Sequence, residues 1–125
     1  MKQGNHDVTT CQRISEMLAR VGDKWTLLVL RVLGRGACRF NALQRQIGDI
    51  SQKMLSTTLR NLERDGLVSR TVTPVTPPQV EYALTPLGHD FFPVVTGIAE
   101  WTVRNMSSIE AARATYDGRA ALAAE

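Results

Sequence analysis

Apolar residues recur at helical spacing through the first half of the chain and switch to strand-like alternation after position 66. Ile14, Met17, Leu18 and Val21 predict a first helix beginning near Thr10. Gly22 ends it, and Asp23 is placed to cap the next helix by accepting from its free N–H groups. That helix, from about Lys24 to Leu33, carries Trp25, Leu28, Val29, Val32 and Leu33, so little of its surface is polar and it is predicted as the central buried helix. Gly34 and Gly36 break it, Cys38-Arg39-Phe40 reads as a short extended piece, and a third helix with Leu43 and Ile47 on one face stops at Gly48.

Ser51 is the next N-cap, opening a helix from Gln52 to Asp65 that Gly66 closes. At 100° per residue, Leu55, Thr58, Leu59 and Leu62 share one side, while Lys53, Thr57, Arg60 and Arg64 share the other, flanked by Ser56 and Asn61. The period then becomes two. Val68, Arg70 and Val72 alternate with polar residues, as do Val80, Tyr82 and Leu84 with Glu81 and Ala83, predicting two strands. Proline cannot donate to a ladder, so Pro74-Val75-Thr76-Pro77-Pro78 is the loop of a hairpin. Thr85-Pro86 starts a last long helix through Phe91, Phe92, Val95, Ile98 and Trp101 to about Met106, with Pro93 in or near its first turns. A further helix is predicted over 107–116, and the ends, 1–10 and the stretch after Asp117, are expected to be loose.

The expected fold is mainly α with a small β-hairpin: a winged helix-turn-helix with N- and C-terminal dimerisation helices. The expected division is a flexible start (1–10), a DNA-binding domain with its dimerisation helices (11–106) and a C-terminal helix or tail (107–125). Length agrees, since 125 residues suit one domain that buries roughly two-thirds of its unfolded surface. With 43% hydrophobic and 22% charged residues, a disordered or fibrous chain is excluded. The longest apolar run, Leu27 to Leu30, is too short to span a membrane, and the polar first residues carry no secretory h-region. Two cysteines make no disulfide framework, so a cytoplasmic, reducing compartment is expected.

Charge is unevenly spread. Residues 1–66 carry 11 basic and 6 acidic side chains, a net +5, whereas 67–125 carry 4 and 6, a net −2. A polyanionic partner for the first half accounts for this, as does a merely solvated basic surface. The polar face of the fourth helix narrows the choice, because one anchored face and one hydrogen-bonding, cationic face is what a major groove requires. Gln52, Lys53, Ser56 and Thr57 lie toward the helix N-terminus and are assigned to base edges; Arg60 and Arg64 lie further along and are assigned to phosphates. Arg39 and Asn41 would contact backbone at the start of the third helix, although Arg39 also reads as an exposed strand residue. Phe91, Phe92, Val95, Ile98 and Trp101 exceed what a small core needs and are read, with Ile14 and Leu18 of the first helix, as dimer contacts; intramolecular packing is the alternative. Trp25 is read as core. Cys11, Cys38, His6 and His89 have no metal-ligand spacing, and no phosphate loop, dinucleotide fingerprint or nucleophile elbow occurs, so no metal, cofactor or catalytic site is predicted.

Several collinear motifs resemble those of HxlR-type bacterial transcription regulators, relatives of the MarR group. They are Gly22-Asp23-Lys24-Trp25-Thr26-Leu27-Leu28, Arg39-Phe40-Asn41-Ala42-Leu43, Ile50-Ser51-Gln52-Lys53-Met54-Leu55, Leu62-Glu63-Arg64-Asp65-Gly66-Leu67-Val68 and Pro77-Pro78-Gln79-Val80-Glu81-Tyr82-Ala83-Leu84-Thr85, followed by Gly88. The resemblance spans about Cys11 to Trp101 and implies a homodimer on double-stranded DNA at a pseudo-palindromic promoter site. Two positions depart from it: Gln79 stands where the family usually has Arg or Lys, and Gln12 follows Cys11 where proline is usual. The first weakens the expectation of a wing contact and leaves a winged helix used only for protein contacts as the alternative function. Some relatives use a cysteine at the place of Cys11 to sense oxidants or quinones, which implies an oxidant or small-molecule effector. Cys11 lies at the predicted N-terminus of the first helix, with Arg13 near it, where free N–H groups favour a thiolate. Cys38 is a disulfide partner in the other subunit under that reading; both cysteines also read as ordinary unreactive thiols.

Overall fold

The computed structural model describes residues 7–124. Its elements run α1 (Val8–Val21), α2 (Lys24–Leu33), β1 (Cys38–Arg39), α3 (Phe40–Ile47), α4 (Gln52–Arg64), β2 (Val68–Thr73), β3 (Gln79–Leu84) and α5 (Pro86–Ala124). The chain divides into two compact units, Met1–Val95 and Thr96–Glu125.

In the first unit, α2 supplies Val29, Leu30, Val32 and Leu33 to a core completed by Leu43, Ile50, Leu55, Leu59, Leu62, Leu67, Val68, Leu84 and Val95. The cap predicted for α2 forms, with Asp23 Oδ1 accepting from the Trp25 N–H at 3.0 Å. Trp25 itself is half-buried against the core, with Lys24 Nζ 4.4 Å from its ring centroid. Helix α4 starts where Ser51 Oγ accepts from the Met54 N–H at 3.0 Å. It stops because Gly66 takes φ 78°, a left-handed conformation that a β-carbon disfavours. The Leu67 N–H then donates to Leu62 O at 2.9 Å and the Gly66 N–H to Glu63 O at 3.0 Å, closing the last carbonyls of the helix.

The sheet has three strands rather than two, in the order β1-β3-β2, all antiparallel. The extended piece before α3 becomes a strand because it pairs with β3, Cys38 opposite Tyr82 and Arg39 opposite Glu81. Two residues cannot show a period, so only the partner strand makes this a strand.

Three boundaries differ from expectation. Helix α1 begins at Val8 and not near Thr10, because the Asp7 carboxylate caps it, accepting from the Thr10 N–H at 2.7 Å. That hydrogen bond holds the exposed Asp7 carboxyl below the usual carboxylate range. The expected loose segment 1–10 is therefore helical over its last three residues, while residues 1–6 lie outside those described. The expected break after Met106 is absent: α5 continues through 107–124, where Glu, Arg and Ala favour helix and a lone Gly118 costs only about 1 kcal/mol. Asn105 and Thr115 support that stretch by donating to Trp101 O at 2.8 Å and Ala111 O at 3.0 Å within the same helix. Pro93 is tolerated inside α5 about two turns from its start.

One ion pair links distant parts of the first unit. Arg20 Nε of α1 lies 2.7 Å from Asp65 Oδ2, the C-cap of α4, and both side chains are about a fifth exposed. Forty-five residues separate the two in sequence, and no periodicity of either helix announces the contact.

Candidate nucleic-acid interface

Helix α4 is built for display. Leu55, Thr58, Leu59 and Leu62 are buried, as the projection requires, so the opposite face must point outward. Gln52, Lys53, Thr57 and Arg60 are exposed on it, and Ser56 is half-buried at its edge. Lys53 and Arg60 stand two turns apart, about 10 Å along the axis. Neither forms an ion pair among the described residues, so both charges remain available to an anion.

Arg64 is exposed at the far end of the same face, but it borders a different feature. It lines a groove with Thr9, Gln12, Arg13 and Glu16 of α1, beside the Arg20–Asp65 pair. Arg39 and Asn41 are exposed and line a separate groove of about 490 Å³ with Arg45 and the wing residues Pro77, Pro78 and Gln79. Nη2 of Arg39 donates to Oε1 of Gln79 at 2.6 Å.

Two residues of this surface escaped the sequence reading. Arg70 of β2 lines a small groove with Ser56, Arg60, Glu63 and Tyr82, which puts a wing cation beside the polar edge of α4. The signal was present: Arg70 sits in the apolar phase of an alternating strand, where a charge needs a reason. Met54, 42% exposed near the start of α4, offers an apolar contact of the kind a thymine methyl accepts.

The residues assigned to dimer contacts separate into two groups. Val95 is 2% exposed and belongs to the core, so it is not available to a second chain. The excess of apolar residues after position 90 therefore overstates the external surface, because α5 also contributes Val95 to the core. Phe91 and Phe92 are half-buried against the same core. Phe92 lies so close to α2 that a β-carbon at Gly34 would stand 3.1 Å from its ring. Ile14, Leu18, Ile98 and Trp101 are exposed, at 44%, 64%, 56% and 53%. Ile14 and Leu18 line an apolar groove of about 350 Å³ with Met17, Val21, Phe91 and Val94.

Cys11 is exposed and Cys38 half-buried, and neither is in a disulfide. Cys11 stands two residues further into α1 than a helix start at Thr10 implies, and its N–H is not free: it donates to Asp7 O at 3.0 Å. The sulfur of Cys38 accepts from Nε2 of Gln46 at 3.3 Å. Among the described residues no cluster of three or more His, Cys, Asp or Glu side chains is placed to hold a metal, and no helix is long and apolar enough to cross a membrane.

Comparison with known proteins matches residues 20–110 to the model of the HxlR-like helix-turn-helix family. The chain belongs to that family. It is 41% identical over 121 residues to YtfH of Escherichia coli (strain K12), described as an uncharacterized HTH-type transcriptional regulator, across 97% of this chain and 93% of that protein. Among solved structures it is similar to the redox regulator HypR in its reduced form, at 36% identity and a TM-score of 0.69, covering 79% of this chain and 98% of that one. It is also similar to diamide-treated YodB from B. subtilis, at 34% identity and a TM-score of 0.67, covering 74% and 91%. This HxlR-like protein is thus a transcriptional regulator with a winged helix-turn-helix fold, and its relatives are regulators rather than enzymes.

Proposed function

We propose that this HxlR-like protein binds a pseudo-palindromic promoter site in double-stranded DNA as a homodimer in the cytoplasm, each copy placing α4 in a major groove. The observation that carries this reading is the outward face of α4, where Gln52, Lys53, Thr57 and Arg60 are exposed above a fully anchored apolar face. Gln pairs with adenine, Lys donates to guanine, and Ser or Thr serves either base, so the N-terminal turns can read sequence while Arg60 and Arg64 hold phosphates. Arg39 and Asn41 serve the backbone from the start of α3. The DNA-binding part is the first unit, to which the exposed Ile14 and Leu18 also belong. The test is a titration with a pool of random duplexes at low salt. Binding that falls steeply as salt rises supports the reading, because each neutralised phosphate contributes a slope of about −0.9 in log K against log salt. A chain that binds no duplex at low salt contradicts it and favours a protein-contact module.

The second copy covers the apolar groove of α1 in the first unit, Ile98 and Trp101 of the second unit being further dimer contacts, and sets two α4 helices about 34 Å apart, one turn of DNA. Sedimentation at micromolar concentration is expected to show a dimer for the wild type and a monomer for Leu18→Glu or Trp101→Glu. A monomeric wild type contradicts the assembly. Point changes are the appropriate tool, since cutting the chain before Val95 would also remove core.

An oxidant or electrophile acting at Cys11 is the proposed signal, supported by the exposure of that thiol and by the likeness to HypR and YodB. Its modification would displace α1, and with it the spacing of the two α4 helices, with Cys38 of the other copy as the disulfide partner. Diamide or a quinone is expected to abolish DNA binding by the wild type and by neither cysteine variant if the two pair. A response lost only in Cys38→Ser moves the sensor to that residue, and wild-type binding that ignores the oxidant removes the idea.

A further inference from the structure

We infer that Gln79 is a positioning residue for DNA, holding the Arg39 guanidinium so that its other N–H groups face a backbone phosphate in the groove between the wing and α3. The inference rests on the DNA-binding reading above.

Arg39 is the last residue of β1 and stands opposite Glu81 of β3. Side chains alternate along a strand, so Gln79, two residues before Glu81, lies on the same face. The facing carboxylate is the obvious partner for the guanidinium. Nη2 instead donates to the Gln79 amide oxygen at 2.6 Å, and Arg39 forms no ion pair among the described residues.

That choice of acceptor matters chemically. A carboxylate would neutralise the cation, whereas a neutral amide fixes its orientation and leaves the charge whole. Guanidinium carries five N–H donors in a rigid plane, and the Gln79 contact uses one nitrogen, so a fork remains for two phosphate oxygens. Three further features suit an anion in that groove. Arg45 lines it as a second cation, and no acidic residue lines it. Arg39 is the N-cap of α3 and supplies no side-chain acceptor, so no cap carboxylate or hydroxyl competes for the first N–H groups of that helix.

The contact needs an acceptor at position 79. A cation there cannot accept from Arg39 and would repel it. In this protein the wing thus supplies the acceptor that orders the arginine of β1, in place of a charge of its own.

The test is a double-variant cycle on a duplex selected by the wild type from a random pool, with affinities measured across a salt series. Gln79→Met keeps the length of the side chain and removes the acceptor. It is expected to weaken binding about three- to tenfold, the cost of ordering one long side chain on association. In an Arg39→Ala background the same change is expected to do nothing. Arg39→Ala should lower the salt slope by about one unit. Gln79→Glu should keep the contact but neutralise Arg39, losing affinity with a shallower slope while leaving the thermal midpoint unchanged. Equal losses from Gln79→Met in both backgrounds, or none in either, overturn the inference while DNA binding itself stands. A wild type that selects no duplex removes both.

Discussion

Gly88→Ala is expected to lower the unfolding free energy by about 3 kcal/mol, a large part of the 5–15 kcal/mol a small domain holds. Gly88 is buried near the start of α5, and a β-carbon there would run into the carbonyl oxygen of Leu67. The obstacle is backbone and cannot rotate away. It is also already engaged, since the Thr85 N–H donates to that same oxygen at 3.1 Å. The Thr85 hydroxyl donates to Gly66 O at 2.6 Å and accepts from the Gly88 N–H at 3.0 Å, so the end of α4, the start of β2 and the start of α5 meet within one knot of hydrogen bonds. Moving Gly88 outward would break several of them at once. Gly97 lies in the same helix, and a β-carbon there meets nothing within 4 Å. Gly97→Ala should therefore be neutral or stabilise by up to about 1 kcal/mol. Urea unfolding of the two variants beside the wild type decides the matter. Equal midpoints for Gly88→Ala and wild type would show that the start of α5 can shift freely.

Lys53→Ala is expected to cost about 1–3 kcal/mol on the preferred duplex and to relax base preference at the position it reads. Lys53 is the second residue of α4, exposed, and free of ion pairs among the described residues. Truncation removes a donor without disturbing the buried face two residues on. Arg64→Ala should behave differently, weakening all duplexes alike and reducing the salt slope by about one unit, as loss of a phosphate contact does. Arg64 also borders the groove beside α1, so its thermal midpoint should be followed in the same experiment. Affinities for the selected duplex and for its single-base variants separate the two roles. Unchanged cognate binding by Lys53→Ala would remove α4 from the major groove.

The residues that proved legible in sequence are those whose signal is local. Asp23 and Ser51 cap the helices they were expected to cap, because a short acceptor before a helix binds an N–H two or three residues on, whatever the rest of the chain does. The two faces of α4 were readable because 3.6-residue periodicity sorts them within one element, and Leu55, Thr58, Leu59 and Leu62 are indeed the buried set. The hairpin followed from alternation and from prolines that cannot join a ladder. The unbroken run of α5 past Met106 was missed for the converse reason: no single residue there stops a helix, and a falling apolar signal is not a stop.

What only the tertiary structure decided depends on which distant groups become neighbours. Val95 and Trp101 look alike in sequence as apolar residues on one helix, yet one is in the core and the other is 53% exposed. The strand at Cys38–Arg39, the Arg20–Asp65 pair and the Arg39–Gln79 contact each join residues about 40 or more positions apart. Periodicity reports which face of an element is apolar. It carries no record of what that face, or the charge at its end, will meet once the chain has folded, since that is set by the three-dimensional path of every element between.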